Sequence, residues 1–224
     1  MLSIVLAAVL SAALSACGGS PHGIAAKDPE AIVAAATKAI DGVRSVEVYG
    51  SVNQASSRDE IRFDLHLVNG RGATGSLSEH GLAFQLVTIG NVAYVKATPA
   101  FWDQFGGASV AAQLRGRWLR APADHGDFAS FASLTDVHKL IAGLLAGHGA
   151  LTKGTTSTVD GRGVIAVHDA SRQGILYVAT SGPAYPIRIQ NESSDRGQID
   201  FRHFGAPVAL RPPAHSVSIF ALRG

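Results

Sequence analysis

Nine histidines, one cysteine and two short runs that mix acids with histidine are the side chains here with chemistry to offer. The histidines are His22, His66, His80, His125, His138, His148, His168, His203 and His215, and none recurs at HxH or HxxxH spacing. Zinc sites in single elements use such closely spaced pairs, so no metal ligand is assigned. Asp124-His125 beside Asp127, and Asp136 beside His138, contain the base and orienting acid of a nucleophilic triad. No nucleophile on a sharp strand-to-helix turn accompanies them, and helix caps and turns account for these acids. Gly161-Arg162-Gly163 reads as a hairpin turn, because a phosphate loop needs a helix start directly after it. Neither an enzyme nor a cofactor is expected.

Cys17 is a separate matter. It is the only thiol, it ends the run Leu14-Ser15-Ala16-Cys17, and everything before it is apolar or small. Gly18-Gly19-Ser20-Pro21 follows as a polar spacer. The pattern resembles a bacterial lipoprotein signal peptide with its lipobox, although Met1-Leu2-Ser3 lacks the positive start usual in export signals. The resemblance implies cleavage before Cys17 and diacylglycerol on its sulfur. Sixteen residues fall short of the roughly 20 that a helical span needs, whereas two acyl chains hold a protein firmly at a membrane surface. Residues 1–16 are thus expected to be signal peptide, 17–27 a lipidated tether and 28–224 one domain. The expected location is the cell membrane, lipid-anchored on the extracytoplasmic side.

With Cys17 acylated no thiol is left for a disulfide or a cysteine-based metal site, so a hydrophobic core must hold the fold. Hydrophobic residues make up 46% of the chain and charged ones 16%, an apolar surplus and a charge deficit against ordinary globular usage. The surplus needs a large core, an apolar cavity or a membrane-facing surface. A net charge of +2 without a Lys/Arg cluster gives no case for nucleic acid.

The elements that must position these residues follow from periodicity. Asp28-Pro29-Glu30 reads as a helix start, with Ile32, Val33, Ala36 and Ile40 on one stripe until Gly42. From Val43 the period becomes two: Val46, Val48 and Val52 alternate with Glu47, Tyr49 and Ser51. After a turn around Ser56-Ser57-Arg58, Ile61, Phe63, Leu65 and Leu67 alternate with Arg62, Asp64 and His66, and Asn69-Gly70 marks a hairpin. Strands over Ala73–Ser78, Leu82–Ile89 and Val92–Ala97 complete a five-stranded antiparallel meander. Pro99–Leu114 reads as helical or irregular, Trp118-Leu119 as a short strand, and Asp127–Leu134 and Asp136–Ala146 as helices. Strands return at Leu151–Val159, Val164–Asp169, Ile175–Thr180, Tyr185–Gln190 and Ile199–Phe204, and a less regular, proline-marked end reaches Val217–Leu222. The fold class is therefore α+β: a curved antiparallel β-sheet with helices packed on the concave face.

This order behind a lipobox resembles the LolA/LolB-like superfamily and, within it, the actinobacterial lipoproteins of the LprG/LppX type. The matching residues are Ser45-Val46-Glu47-Val48-Tyr49-Gly50, Gly90-Asn91-Val92-Ala93-Tyr94-Val95-Lys96-Ala97, Phe101-Trp102, Gly116-Arg117-Trp118-Leu119 and Val159-Asp160-Gly161-Arg162-Gly163-Val164. The likeness spans roughly residues 28–207, on structural positions. It implies a half-barrel wrapped around helices and enclosing an apolar cavity for acyl chains. The expected partners are a lipid or glycolipid ligand, a membrane held through the lipid anchor and an envelope transporter or other partner protein, and the chain is expected to be a monomer.

Ile61, Phe63, Leu65, Leu82, Phe84 and Leu86 on the strands, with Leu140, Ile141, Leu144 and Leu145 on a helix, are candidates to line such a cavity, and packing in a filled core is the default role of each. Phe101 and Trp102 are candidates for the cavity mouth or a membrane contact, the alternative being a wedge that pins the helical middle to the sheet. Lys96, Arg115, Arg117 and Arg120 form a loose basic group that can meet anionic headgroups or simply face water. Two functions stay open: an anchored lipoprotein that binds acyl chains for lipid transport or sensing, and an anchored interaction or scaffold module with a filled core and no ligand.

Overall fold

The chain was analysed as a computed structural model that describes residues 23–53, 60–124, 126, 128, 136–191 and 197–222. Cys17 and the apolar leader lie outside the described residues, as do the turn at Ser56–Arg58 and, apart from Phe128, the helix expected over Asp127–Leu134.

The first helix, α1, runs Pro29–Ile40, with proline at its first position and Ile32, Val33, Ala36 and Ile40 buried. Asp28 precedes it without a side-chain capping bond. Five strands follow: β1 Ser45–Asn53, β2 Glu60–Val68, β3 Gly72–Glu79, β4 Leu82–Ile89 and β5 Val92–Ala97. The middle holds α2 (Pro99–Leu114), β6 (Leu119–Pro122) and α3 (Val137–Leu145). Five more strands complete the main sheet: β7 Leu151–Val159, β8 Arg162–Asp169, β9 Gly174–Ala179, β10 Pro186–Asn191 and β11 Gln198–Arg202. The short β12, Val217–Ser218, ends the order.

Local chemistry explains the helix starts. The Thr98 hydroxyl accepts from the Phe101 N–H at 3.3 Å, with Pro99 opening α2. The Asp136 carboxylate accepts from the Lys139 N–H at 2.9 Å and opens α3; each bond satisfies one of the orphan donors of a first turn. Pro99–Leu114, ambiguous in sequence, is a helix broken at Gly107, whose φ of 80° no neighbouring residue type adopts easily.

All twelve strands form one sheet in the order β12-β6-β5-β4-β3-β2-β1-β11-β10-β9-β8-β7. Every pairing is antiparallel except β12 with β6. The sheet is open, with α1 and α3 over one stretch of its concave face and α2 over another. The buried residues of α1 and α3 pack with Val46, Val48, Leu65, Leu67, Ala73, Ile165, Val167, Leu176, Val178 and Phe201. Trp102, Ala111 and Leu114 of α2 pack with Leu86, Ala93, Val95, Leu119, Ala121, Ala123 and Phe128. Leu77 touches both clusters and bridges them.

The first run of strands meets the second only where β1 pairs β11, Glu47 opposite Arg202 and Gly50 opposite Ile199. At this seam the backbones close tightly, since a Cβ on Gly50 (φ 148°) would lie 2.0 Å from the Gln198 carbonyl oxygen. The alternating polar residues of β1 suggest a solvated outer face, but Glu47 and Asp200 are buried there. The Glu47 carboxylate accepts from Arg202 and contacts the His203 ring, and the Arg202 guanidinium lies 3.8 Å over the Tyr49 ring. Asp200 accepts from Arg188 and Gln198. Pairing of this kind is what allows a charge to be buried at all.

Candidate functional site

Between α1, α3 and the second group of strands lies an apolar cleft of about 170 Å³. Its walls are Val33 of α1, Leu144 and Leu145 of α3, Leu151 of β7, Val167 of β8, Ile175 and Leu176 of β9 and Ile189 of β10. The rim is polar: His148, Asp169, Arg172, Gln190 and Asn191. The α3 stripe Val137, Ile141 and Leu145 is buried in the cluster that α1 and α3 share with the strands, and Leu144 beside it faces the cleft with Leu145.

The rim is organised by one carboxylate. Asp169 Oδ1 accepts from the Ser171 hydroxyl at 2.6 Å, the Ser171 N–H at 3.0 Å and the Gly149 N–H at 3.3 Å. Burial pushes this carboxyl up, but the bonds from Ser171, Gly149 and Arg172 outweigh it and hold it below the ordinary aspartate range. Those bonds tie the turn after β8 to the loop after α3. At the far side of the walls, Lys153 of β7 donates to the carbonyls of Ala25 and Lys27, each at 3.2 Å. The incoming chain is thereby pinned along β7, two residues from Leu151.

The sequence candidates fall into three places. Leu144 and Leu145 line the cleft. Leu82, Phe84 and Phe101 line a second groove of about 270 Å³ with Glu79, His80, Gln104 and Phe105. The rest are packing groups: Leu65, Leu86, Ile141 and Trp102 are buried, and Phe63 and Leu140 pack against the α1/α3 cluster. Ile61 is partly exposed on β2, opposite Val52. Trp102 is wholly buried and touches Phe101 edge-on at 5.1 Å, so it wedges α2 onto the sheet while Phe101 reaches the groove. The cleft walls from β7 to β10 and the rim residue Arg172 were not among the candidates. Their signal in sequence is an ordinary strand alternation, which names a face without saying whether a helix covers it.

Among the described residues one group has metal-ligating geometry: Glu47, Asp64 and His66, with ligand atoms within 4.8 Å of one another. Both Glu47 oxygens are already engaged, one by Arg202 and one by His203. A cation there would have to displace a guanidinium, and ion pairing accounts for the cluster. No helix among the described residues is long and apolar enough to cross a membrane.

No family model matches the sequence, and no curated protein matches it. Solved structures do. LprF from Mycobacterium bovis superposes with a TM-score of 0.58 at 17% identity, over 83% of this chain and 97% of that one. The lipoprotein LppX from Mycobacterium tuberculosis gives 0.52 at 16% identity, over 81% and 99%. A LolA superfamily protein from Nitrosomonas europaea gives 0.30 at 9% identity, over 82% and 95%. With an open, almost wholly antiparallel sheet and helices on one face, this chain has the fold of the actinobacterial lipoproteins LprF and LppX.

Proposed function

We propose that this protein is an envelope lipoprotein, anchored on the extracytoplasmic side of the cell membrane through diacylglycerol on Cys17, that holds a lipid acyl chain in the α1/α3 cleft for transport or sensing. The observation that carries the reading is the cleft itself, eight apolar residues from two helices and four strands around a space with a polar rim. Apolar cavities exclude water and take apolar guests, and each methylene taken from water gains roughly 0.8 kcal/mol. A bilayer shelters the same chain, so exchange between the two is near balance and reversible. The fold of LprF and LppX supports the reading, as does the course of residues 23–27, where the Ala25 and Lys27 carbonyls accept from Lys153, two residues along β7 from the wall residue Leu151.

The cleft is smaller than the ~300–1,000 Å³ of ordinary ligand pockets. It suits part of one chain, and the filled clusters around it favour the scaffold function as the second reading. Native mass spectrometry with organic extraction of the full chain from bacterial membranes separates the two. Co-purified acyl lipid supports binding; a clean apoprotein that takes up nothing from phospholipid vesicles favours the scaffold. Fractionation of the Cys17→Ala chain tests the anchor, which predicts its release from membranes in folded form.

A further inference from the structure

The rim of the cleft contains a cation whose obvious partner is committed elsewhere. Asp169 has its Oδ1 filled by Ser171 and Gly149. The Arg172 side chain lies instead across the loop after α3, where a Cβ on Gly147 would come within 2.8 Å of its Nη2. Gly147 has φ 70°, so this crossing of guanidinium and backbone depends on glycine. Among the described residues no carboxylate forms an ion pair with Arg172; Glu192 lies outside them. Leu144, Leu151 and Leu176 form the apolar wall of the same cleft.

We propose that Arg172 reads an anionic head group, so that the ligand of the cleft is a single-chain amphiphile bearing a carboxylate or a phosphate. The inference rests on the reading that the cleft takes an acyl chain. A guanidinium offers a planar fork that matches either anion with two parallel hydrogen bonds. A sugar or glycerol hydroxyl would leave most of that capacity unused. The small volume argues the same way, since a lipid with several chains needs more than about 170 Å³ and a single chain does not.

The test uses the full chain carrying Cys17→Ala, so that no detergent is needed, and measures binding by calorimetry. The ligands are palmitate, 1-palmitoyl lysophosphatidate, 1-monopalmitoylglycerol and inorganic phosphate. Both palmitoyl anions are expected to bind at least tenfold tighter than the neutral glyceride, and inorganic phosphate alone to bind negligibly. Arg172→Ala should weaken the two anions at least tenfold and leave the glyceride unchanged, and Arg172→Lys should restore part of the loss. The anion that loses more on substitution identifies carboxylate or phosphate as the better head. Equal affinities for all three palmitoyl ligands, or no effect of Arg172→Ala, would overturn the head-group inference while leaving the acyl site standing. Phosphate competing as well as lysophosphatidate would overturn it in favour of a simple anion site. Failure of every palmitoyl ligand would remove the acyl reading itself.

Discussion

Beneath α2 the sheet is covered by rings, and beneath α1 and α3 by branched aliphatic side chains. Phe101 lies 5.3 Å from Phe84 and stacks on Phe105 at 6.0 Å, while Phe105 meets Phe128 edge-on at 6.0 Å. Trp102 fills the middle of that group with no exposed surface. Among the described residues the α1/α3 cluster has Phe201 as its only buried aromatic and is otherwise built from Ile, Val, Leu and Ala. Rings are broad and rigid, so a few of them span the gap between a helix and a curving sheet and fill it. Aliphatic side chains fill only where the backbones stay close, and between α1, α3 and β7–β10 they line a space instead. The cleft is what aliphatic packing leaves at the margin of its reach, and the ring side ends in a shallow groove at Phe101 and Phe105.

The largest test of that contrast is Trp102→Ala. Removing a fully buried indole should cost about 3–5 kcal/mol of stability, read from the midpoint of urea unfolding. Because the indole is remote from the cleft walls, the variant, where folded, should bind acyl ligand as before; a parallel loss of binding would show that the two regions are not separate.

Gly50→Ala strikes the seam between the strand groups. The new Cβ meets a backbone carbonyl that cannot rotate away, so the cost should sit near the top of the roughly 1–3 kcal/mol typical of overpacking. If the two regions fold as one body, tryptophan fluorescence and far-UV circular dichroism should still report a single shared transition. Two transitions would show that the ring-packed side stands without its neighbour.

Leu176→Ala is expected to cost less, about 2 kcal/mol at the low end of the leucine range. The residue already borders open space, and the substitution enlarges the cleft rather than making a sealed void. Uptake of a branched acyl chain should rise relative to a linear one, and equal uptake of both would place the bound chain elsewhere.

Glu47→Gln should have the smallest effect at neutral pH and a distinct one in acid. Burial raises the Glu47 carboxyl, but hydrogen bonds from Arg202 and His203 and the charges of Arg202 and His66 bring it below the ordinary value of 4.5. A depressed carboxyl contributes fully above that value and loses its contribution as pH falls through the lower, folded-state value. Wild-type stability should therefore decline below about pH 4.5, and the decline should be shallower in Glu47→Gln. An unchanged acid profile would assign the acid sensitivity to other carboxylates, Asp169 among them.

Much of this arrangement can be read from local pattern. The Asp-Pro-Glu start of α1, the clean alternation of β2 and the Asn69-Gly70 hairpin each depend on residues within a few positions of one another. The site was less legible. Leu144 and Leu145 were identifiable as apolar positions of a helix, and their turn toward the cleft depends on where α3 lies relative to β7–β10. Glu47 looks like an ordinary solvent-facing member of an alternating strand, because its partners Arg202 and His203 arrive more than 150 residues later. Trp102 has the same difficulty: an aromatic in a helix with little apolar periodicity gives no sign of whether it faces a membrane, a cavity or the sheet.

Sequence by itself therefore determined the order of the elements, the apolar face of nearly every strand and the single thiol available for an anchor. These depend on side-chain period and residue type, which need no distant partner. Tertiary structure decided the β1–β11 closure, the buried ion pairs across it, the parallel pairing of β12 with β6 and the place where helices cease to cover the sheet. Such features arise from backbone segments brought together across the whole chain, and a cleft in particular is defined by the side chains that fail to meet.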